Sequence, residues 1–312
     1  MIPGTDRPET MRPAYLSSVA HILGEQAHAY RQAPTFDAVR ARHAMPDMPA
    51  LFGWGTYWRT AHSVDELMVR SVSETLARSG LRGADIDAIV LCSSNFQSGQ
   101  VGDCLPLLER LQLTRAYPFG LAWGDCTLLL AGLDLARAQV QAGLKNVLVV
   151  SANRIEDEAC RFQHYALFSD GAASCLVSAE PRDGYEILGS LVRSGPASAG
   201  QDTDAAQAAL FREVNDSLLE RQRVTSADLE QVLASNVFLP VLKIKEGRLG
   251  ITASQLFTDN VAQMGHCFSA DSLINLHSYE QQAQPRQGAL LMLTANAKGL
   301  RAQMLLRRVL PS

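Results

Sequence analysis

Two stretches of this chain occur twice at a single spacing. Ala84-Asp85-Ile86-Asp87-Ala88-Ile89-Val90-Leu91 resembles Ala227-Asp228-Leu229-Glu230-Gln231-Val232-Leu233-Ala234. Val147-Leu148-Val149-Val150-Ser151-Ala152-Asn153 resembles Leu290-Leu291-Met292-Leu293-Thr294-Ala295-Asn296. Ala227 lies as far along the chain from Ala84 as Leu290 lies from Val147. That period is far too long for a solenoid. It predicts two similar α/β halves, residues 1–178 and 179–312, each with its own sheet and related by a pseudo-twofold axis. The uninterrupted apolar run Val147–Val150 suits a strand buried on both faces, as parallel sheets require.

Local signals fill in the first half. Tyr15 to Leu23 reads as a first strand, while residues 1–12 read as a loose polar tail. Pro34, Pro46, Pro49, Gly53 and Gly55 break any period between 31 and 61, which predicts irregular structure there. Ser63-Val64-Asp65-Glu66 has the form of a capping box, with Leu67, Val72 and Leu76 on the apolar face of a helix that stops near Gly80. Residues 103–112 read as a further helix, and a long one is expected from Cys126 to Leu144, closed by Gly143. His21, His28, His43, His62 and His277 read as surface residues, and His164 lies in the Phe162–Phe168 segment.

The composition narrows the class. Hydrophobic residues form 47% and charged residues 19% of 312, enough for a large core and too apolar for a disordered chain. The net charge of −4 and the absence of a basic run argue against nucleic acid or an anionic membrane as the main partner. No apolar stretch approaches the ~20 residues that span a bilayer, and residues 1–6 do not read as a signal peptide. Six cysteines in a chain of this size fit a cytoplasmic protein with reduced thiols. There is no dinucleotide fingerprint, phosphate loop, Cys-x-x-Cys or His-Glu-x-x-His, so no cofactor or metal is expected.

The repeat also indicates where chemistry should sit, because ligands of open α/β sheets bind beyond the carboxyl ends of the strands. Cys126 opens the long helix of the first half, and one repeat spacing further on lies the segment Gly265-His266-Cys267-Phe268-Ser269. A cysteine and a histidine would then face one crevice from two symmetry-related helix starts. A helix N-terminus stabilises thiolate and lowers the cysteine pKa, and a histidine within reach can hold the proton as base or acid. Asn236, at the end of the repeated strand, is the third candidate, an amide able to donate to a developing oxyanion.

With these residues in view, the chain resembles the thiolase-fold condensing enzymes, and most closely the 3-oxoacyl-(acyl carrier protein) synthase III group. The likeness covers roughly residues 63 to 310. It is strongest from Gly124-Asp125-Cys126 to Val150 and through Leu167-Phe168-Ser169-Asp170-Gly171-Ala172-Ala173, with Ser169 in place of a family glycine. It implies duplicated α/β halves in an α-β-α-β-α layering. It also implies acylation of Cys126 by a coenzyme A or acyl carrier protein thioester, and a homodimer or a heterodimer with a paralogue. Asn236 stands in the family's histidine place and His266 in its asparagine place, an order similar to true thiolases. The basic cysteine of thiolases has no counterpart in Thr294-Ala295-Asn296-Ala297-Lys298-Gly299. The arginine-rich coenzyme A segment is reduced to Gly53-Trp54-Gly55-Thr56-Tyr57-Trp58-Arg59.

The expected function is acyl transfer through acyl-Cys126 to a carbon, oxygen or nitrogen acceptor, within a specialised-metabolite, polyketide or fatty-acid-like pathway. Catalysis would rest on Cys126, His266 and Asn236. The alternative is a non-catalytic subunit completing a heterodimer, which the sparse glycines of the 294–299 loop would suit.

Overall fold

The structure, a computed structural model, describes residues 12–96, 101–195 and 204–310, so most of the expected N-terminal tail lies outside the described residues. The first half runs β1 (Tyr15–Leu23), β2 (Gln26–Ala29), α1 (Phe36–Arg42), α2 (Pro49–Phe52), β3 (Thr56–Arg59), α3 (Val64–Ser79) and β4 (Ala88–Cys92). It continues with α4 (Val101–Arg110), β5 (Tyr117–Leu121), α5 (Leu128–Gln141), β6 (Asn146–Asn153) and β7 (Gly171–Ser178). The second half contains β8 (Gly184–Ser194), α6 (Asp204–Gln222), β9 (Gln231–Leu233), α7 (Leu239–Gly247) and α8 (Asp259–Gln263). It closes with α9 (Asp271–Ala283), β10 (Leu290–Ala297) and β11 (Leu300–Val309). Helix α3 starts where Ser63 Oγ accepts from the Glu66 N–H at 3.2 Å, and it stops at Gly80 in the left-handed region.

Nine strands share one sheet in the order β5-β4-β6-β7-β1-β8-β11-β10-β9. Read outward from the middle, the arms run β1-β7-β6-β4-β5 and β8-β11-β10-β9, so each begins with the first strand of its half followed by the last. On the free side of β9, where the counterpart of β5 belongs, Val232 pairs with Leu256. The separate sheets expected for the halves are joined by three residue pairs, Tyr15↔Glu186, Leu16↔Tyr185 and Ser17↔Gly184. The join is physically reasonable because two first strands lie side by side at edges whose main-chain groups need partners. We propose that the boundary between the halves follows Ser178.

The arms fold around a common core. Leu129, Leu133 and Ala136 of α5 and Leu273, Ile274 and Leu276 of α9 are buried among side chains from both arms of the sheet. Helices α3 and α4 cover the outer face of the first arm, and α6 and α7 that of the second. This is the layered α-β-α-β-α arrangement. A Cβ on Gly132 of α5 would lie 2.7 Å from Cys92 Sγ, so the central helix meets the sheet closely there.

The spacing read from the sequence holds through most of the repeat. The turn Asp125–Thr127 before α5 matches the turn Phe268–Ala270 before α9, and Leu128 matches Asp271. In the last repeated strand it changes. Val90 pairs with Val149, whereas Leu233, one repeat spacing beyond Val90, pairs with Leu293. At that spacing the counterpart of Val149 is Met292, so the observed partner lies one position later. Val149 and Leu293 both face the central core, and Met292 faces the outer layer. The second half thus carries one residue more than the first between the start of α9 and Leu293 of β10. Aligning the strands by similar letters is out of step by one, which would reverse every side chain.

The segment 31–61 is more ordered than its prolines and glycines suggested. Helices α1 and α2 and the β2–β3 pair are held by a cluster of Phe36, Trp54, Tyr57, Phe162, Leu167 and Phe238. No helix among the described residues is long and apolar enough to cross a membrane.

Candidate active site

Cys126 sits in the tight turn that opens α5. Asp125 immediately before it has φ 44°, in the left-handed region that Asp and Asn tolerate better than most side chains. The turn is closed by Thr127, whose backbone N–H and Oγ1 both donate to Gly124 O, at 2.9 and 2.7 Å.

His266 comes from the opposite half and is fully buried. Its N–H donates to Leu167 O at 2.8 Å, and its carbonyl accepts from Ser169 N at 2.9 Å. That backbone docking requires Gly265. Its φ is 68°, and a Cβ there would lie 2.7 Å from Ser169 Oγ and 2.8 Å from Leu167 O. Phe168 holds the imidazole from one side, with ring centroids 4.8 Å apart.

The imidazole joins two groups. Its Nε2 lies 3.2 Å from Cys126 Sγ, and its Nδ1 makes a short hydrogen bond to Asp271 Oδ2. A carboxylate on Nδ1 fixes that nitrogen as the donor and turns the Nε2 lone pair toward the thiol. Asp271, the first residue of α9, also accepts from Asn236 N at 2.6 Å and Cys267 N at 2.7 Å. Burial lowers the imidazole pKa, but the charges and hydrogen bonds of Asp271 and Cys126 outweigh it and raise the pKa well above the ordinary value. The site thus stabilises an imidazolium at His266.

Asn236 departs from its expected role. Its Nδ2 donates to Gly265 O at 3.0 Å and approaches Asp271 Oδ1 at 3.5 Å, while its Oδ1 accepts from Asn275 Nδ2 at 2.9 Å. With both amide hydrogens directed into the protein, it braces Gly265 and Asp271 and is not aimed at the sulfur. Asn275 in turn accepts from Asn260 Nδ2 at 2.8 Å. The sequence reading missed Asp271, although it was detectable as a carboxylate at the position where the other half carries Leu128. Cys267 is buried in the central core, which removes it as a second thiol at the site.

The matching turn of the other half is closed. Ser269, the repeat counterpart of Cys126, hydrogen-bonds Ser151 through their hydroxyls at 2.6 Å. His277, expected at the surface, is buried, with its Nδ1 2.8 Å from His21 Nδ1.

Comparison with known proteins points to the same fold. Residues 124–196, which begin at the Cys126 turn, match the family model described as 3-oxoacyl-[acyl-carrier-protein (ACP)] synthase III. The chain is 23% identical over 256 residues to a β-ketoacyl-[acyl-carrier-protein] synthase III of Aquifex aeolicus, covering 76% of this chain and 82% of that one. A crystal structure of 3-oxoacyl-[acyl-carrier-protein] synthase III from the same organism superposes with a TM-score of 0.78 at 18% identity, over 94% of this chain and 99% of that one. A structure titled ChlB3 and described as an acyltransferase gives 0.81 at 16% identity, over 96% and 98%. Layering and superposition show a thiolase-like fold, and the segment that begins at the Cys126 turn is similar to the 3-oxoacyl-[acyl-carrier-protein] synthase III family.

Proposed function

We propose that the chain is an acyltransferase that carries its acyl group on Cys126 and delivers it to a hydroxyl or amine. The observation that carries this reading is the continuous relay Cys126–His266–Asp271. In the first step the Cys126 thiolate attacks the carbonyl carbon of an acyl-CoA or acyl-carrier thioester. The donor C–S bond breaks, and the departing thiolate takes the proton held on His266 Nε2. The charge of Cys126 is then gone, which weakens one of the two influences that raised the imidazole pKa. In the second step the neutral imidazole takes the proton of the acceptor O–H or N–H as that atom attacks the acyl carbonyl carbon; the bond from that carbon to Cys126 Sγ breaks, and the thiolate is restored beside the imidazolium. Asp271 stabilises the imidazolium formed in both directions.

A carbon acceptor asks for something different. Decarboxylative condensation needs donors that polarise a thioester carbonyl, and the amide of Asn236 is committed inward. Oxygen or nitrogen acylation needs a positioned base, which His266 supplies.

Incubation with acyl-CoA and acyl-carrier donors followed by intact mass measurement tests the reading. One acyl group per chain is expected, located on Cys126 and lost in Cys126→Ala. A complete absence of adduct across acetyl, medium-chain and aromatic donors would overturn it and favour a non-catalytic subunit.

A further inference from the structure

We propose that Asp125 is a charge filter at the mouth of the site, selecting uncharged acyl groups for Cys126 and disfavouring acyl groups that carry a carboxylate of their own. The substrate-class part of this inference rests on the acyl-Cys126 reading; the electrostatic part does not.

Asp125 is adjacent to the nucleophile and exposed. Among the described residues it forms no ion pair. Its charge and that of Cys126 both reach the half-buried phenol of Tyr165. Burial first, then the charges of Cys126 and Asp125, push that phenol's pKa up to about 12. The backbone tolerates an acid here but does not require one. The equivalent residue of the other half, Phe268, adopts φ 54° at the same point of the same turn. A carboxylate before a helix is compatible with the helix dipole, but it opposes the thiolate of the next residue. A residue that works against the nucleophile and is not needed by the turn is best explained by what it keeps out.

The size of the effect follows from Coulomb's law. For a second carboxylate about 8 Å away, an effective dielectric between 80 and 20 corresponds to discrimination of roughly 2- to 30-fold. Salt at 1 M shortens the screening length to about 3 Å and should remove most of it.

The experiment compares alkylation of Cys126 by iodoacetamide, which is neutral, with alkylation by iodoacetate, which is anionic. In both, the thiolate displaces iodide, so no acyl chemistry is involved. The wild-type preference for iodoacetamide should fall 2- to 30-fold in Asp125→Asn, a residue that tolerates the same φ, and should also fall in the unmodified protein at 1 M sodium chloride. A ratio that moves with neither substitution nor salt overturns the filter. The second arm uses malonyl and propionyl N-acetylcysteamine thioesters, with adducts read by intact mass. Malonyl labelling should rise relative to propionyl in Asp125→Asn. Equal wild-type labelling by the two donors would overturn the filter alone. Absence of any adduct together with a shifted alkylation ratio would overturn the acyl-enzyme reading and leave the filter standing.

Discussion

At the scale of single residues, the proposed chemistry depends on a carboxylate that acts through the imidazole it holds. Asp271 holds the imidazole in one tautomer and keeps its positive form stable inside the protein. Asp271→Asn should therefore do more than slow the reaction. Acyl transfer is expected to fall by about 10² to 10⁴-fold, the range for a lost or misoriented general base. The pH dependence of iodoacetamide alkylation should also move. The imidazolium becomes less favourable without its counter-charge, so the thiolate is less favourable too, and the alkylation midpoint should shift to higher pH. A midpoint unchanged from wild type would show that Asp271 does not act through His266. Asn236 belongs to the same lesson in a weaker form: an asparagine after a strand can face ligand or protein, and only the positions of Gly265, Asp271 and Asn275 decide which.

At the scale of elements, β1 and α9 meet through His21 and His277, and this contact is sensitive to acid. One imidazole donates and the other accepts across 2.8 Å, and His277 Nε2 lies 3.1 Å from Gln281 Nε2. Burial first, then the charges of His277 and Arg78, lower the His21 pKa to about 4, and burial and Arg78 lower that of His277. The folded protein thus resists protons that the unfolded chain accepts below its ordinary value near 6.5. Stability from this pair is complete above that pH and is lost as pH falls toward 4, by up to about 3 kcal/mol for His21. Urea midpoints measured between pH 7 and 4.5 should fall less steeply for His21→Gln than for wild type; parallel slopes would contradict the assignment. The pairing of these histidines was not legible, because their contact joins opposite ends of the chain. The helix starts, the buried strands and the facing Cys126 and His266 were legible, since the repeat brings them together through backbone alone. The segment 31–61 was not, because α1 and α2 are short and owe their order to Phe36, Trp54, Phe162 and Phe238 packing together. The extra residue of the second half was hidden because similar letters align equally well one step out of register.

At the scale of the molecule, the sheet ends on β5, whose outer edge has no partner strand within the described residues. Tyr117 on that strand is 66% exposed, and Trp123, just past its end, is fully exposed. Such an edge invites pairing with another strand, and we expect two copies to meet there, close to the Cys126 turn. Light scattering should give twice the chain mass of 33.9 kDa; a monomer at micromolar concentration would refute this for the chain alone. Within each chain the two arms are alike in backbone and unlike in use. The Ser151–Ser269 hydrogen bond occupies the second turn with the protein's own hydroxyls, so the duplicated architecture loads at a single station. On the proposed function the duplication survives as scaffold: one arm would hold the cargo, and the other, relieved of carrying any, would supply the histidine and aspartate that move it.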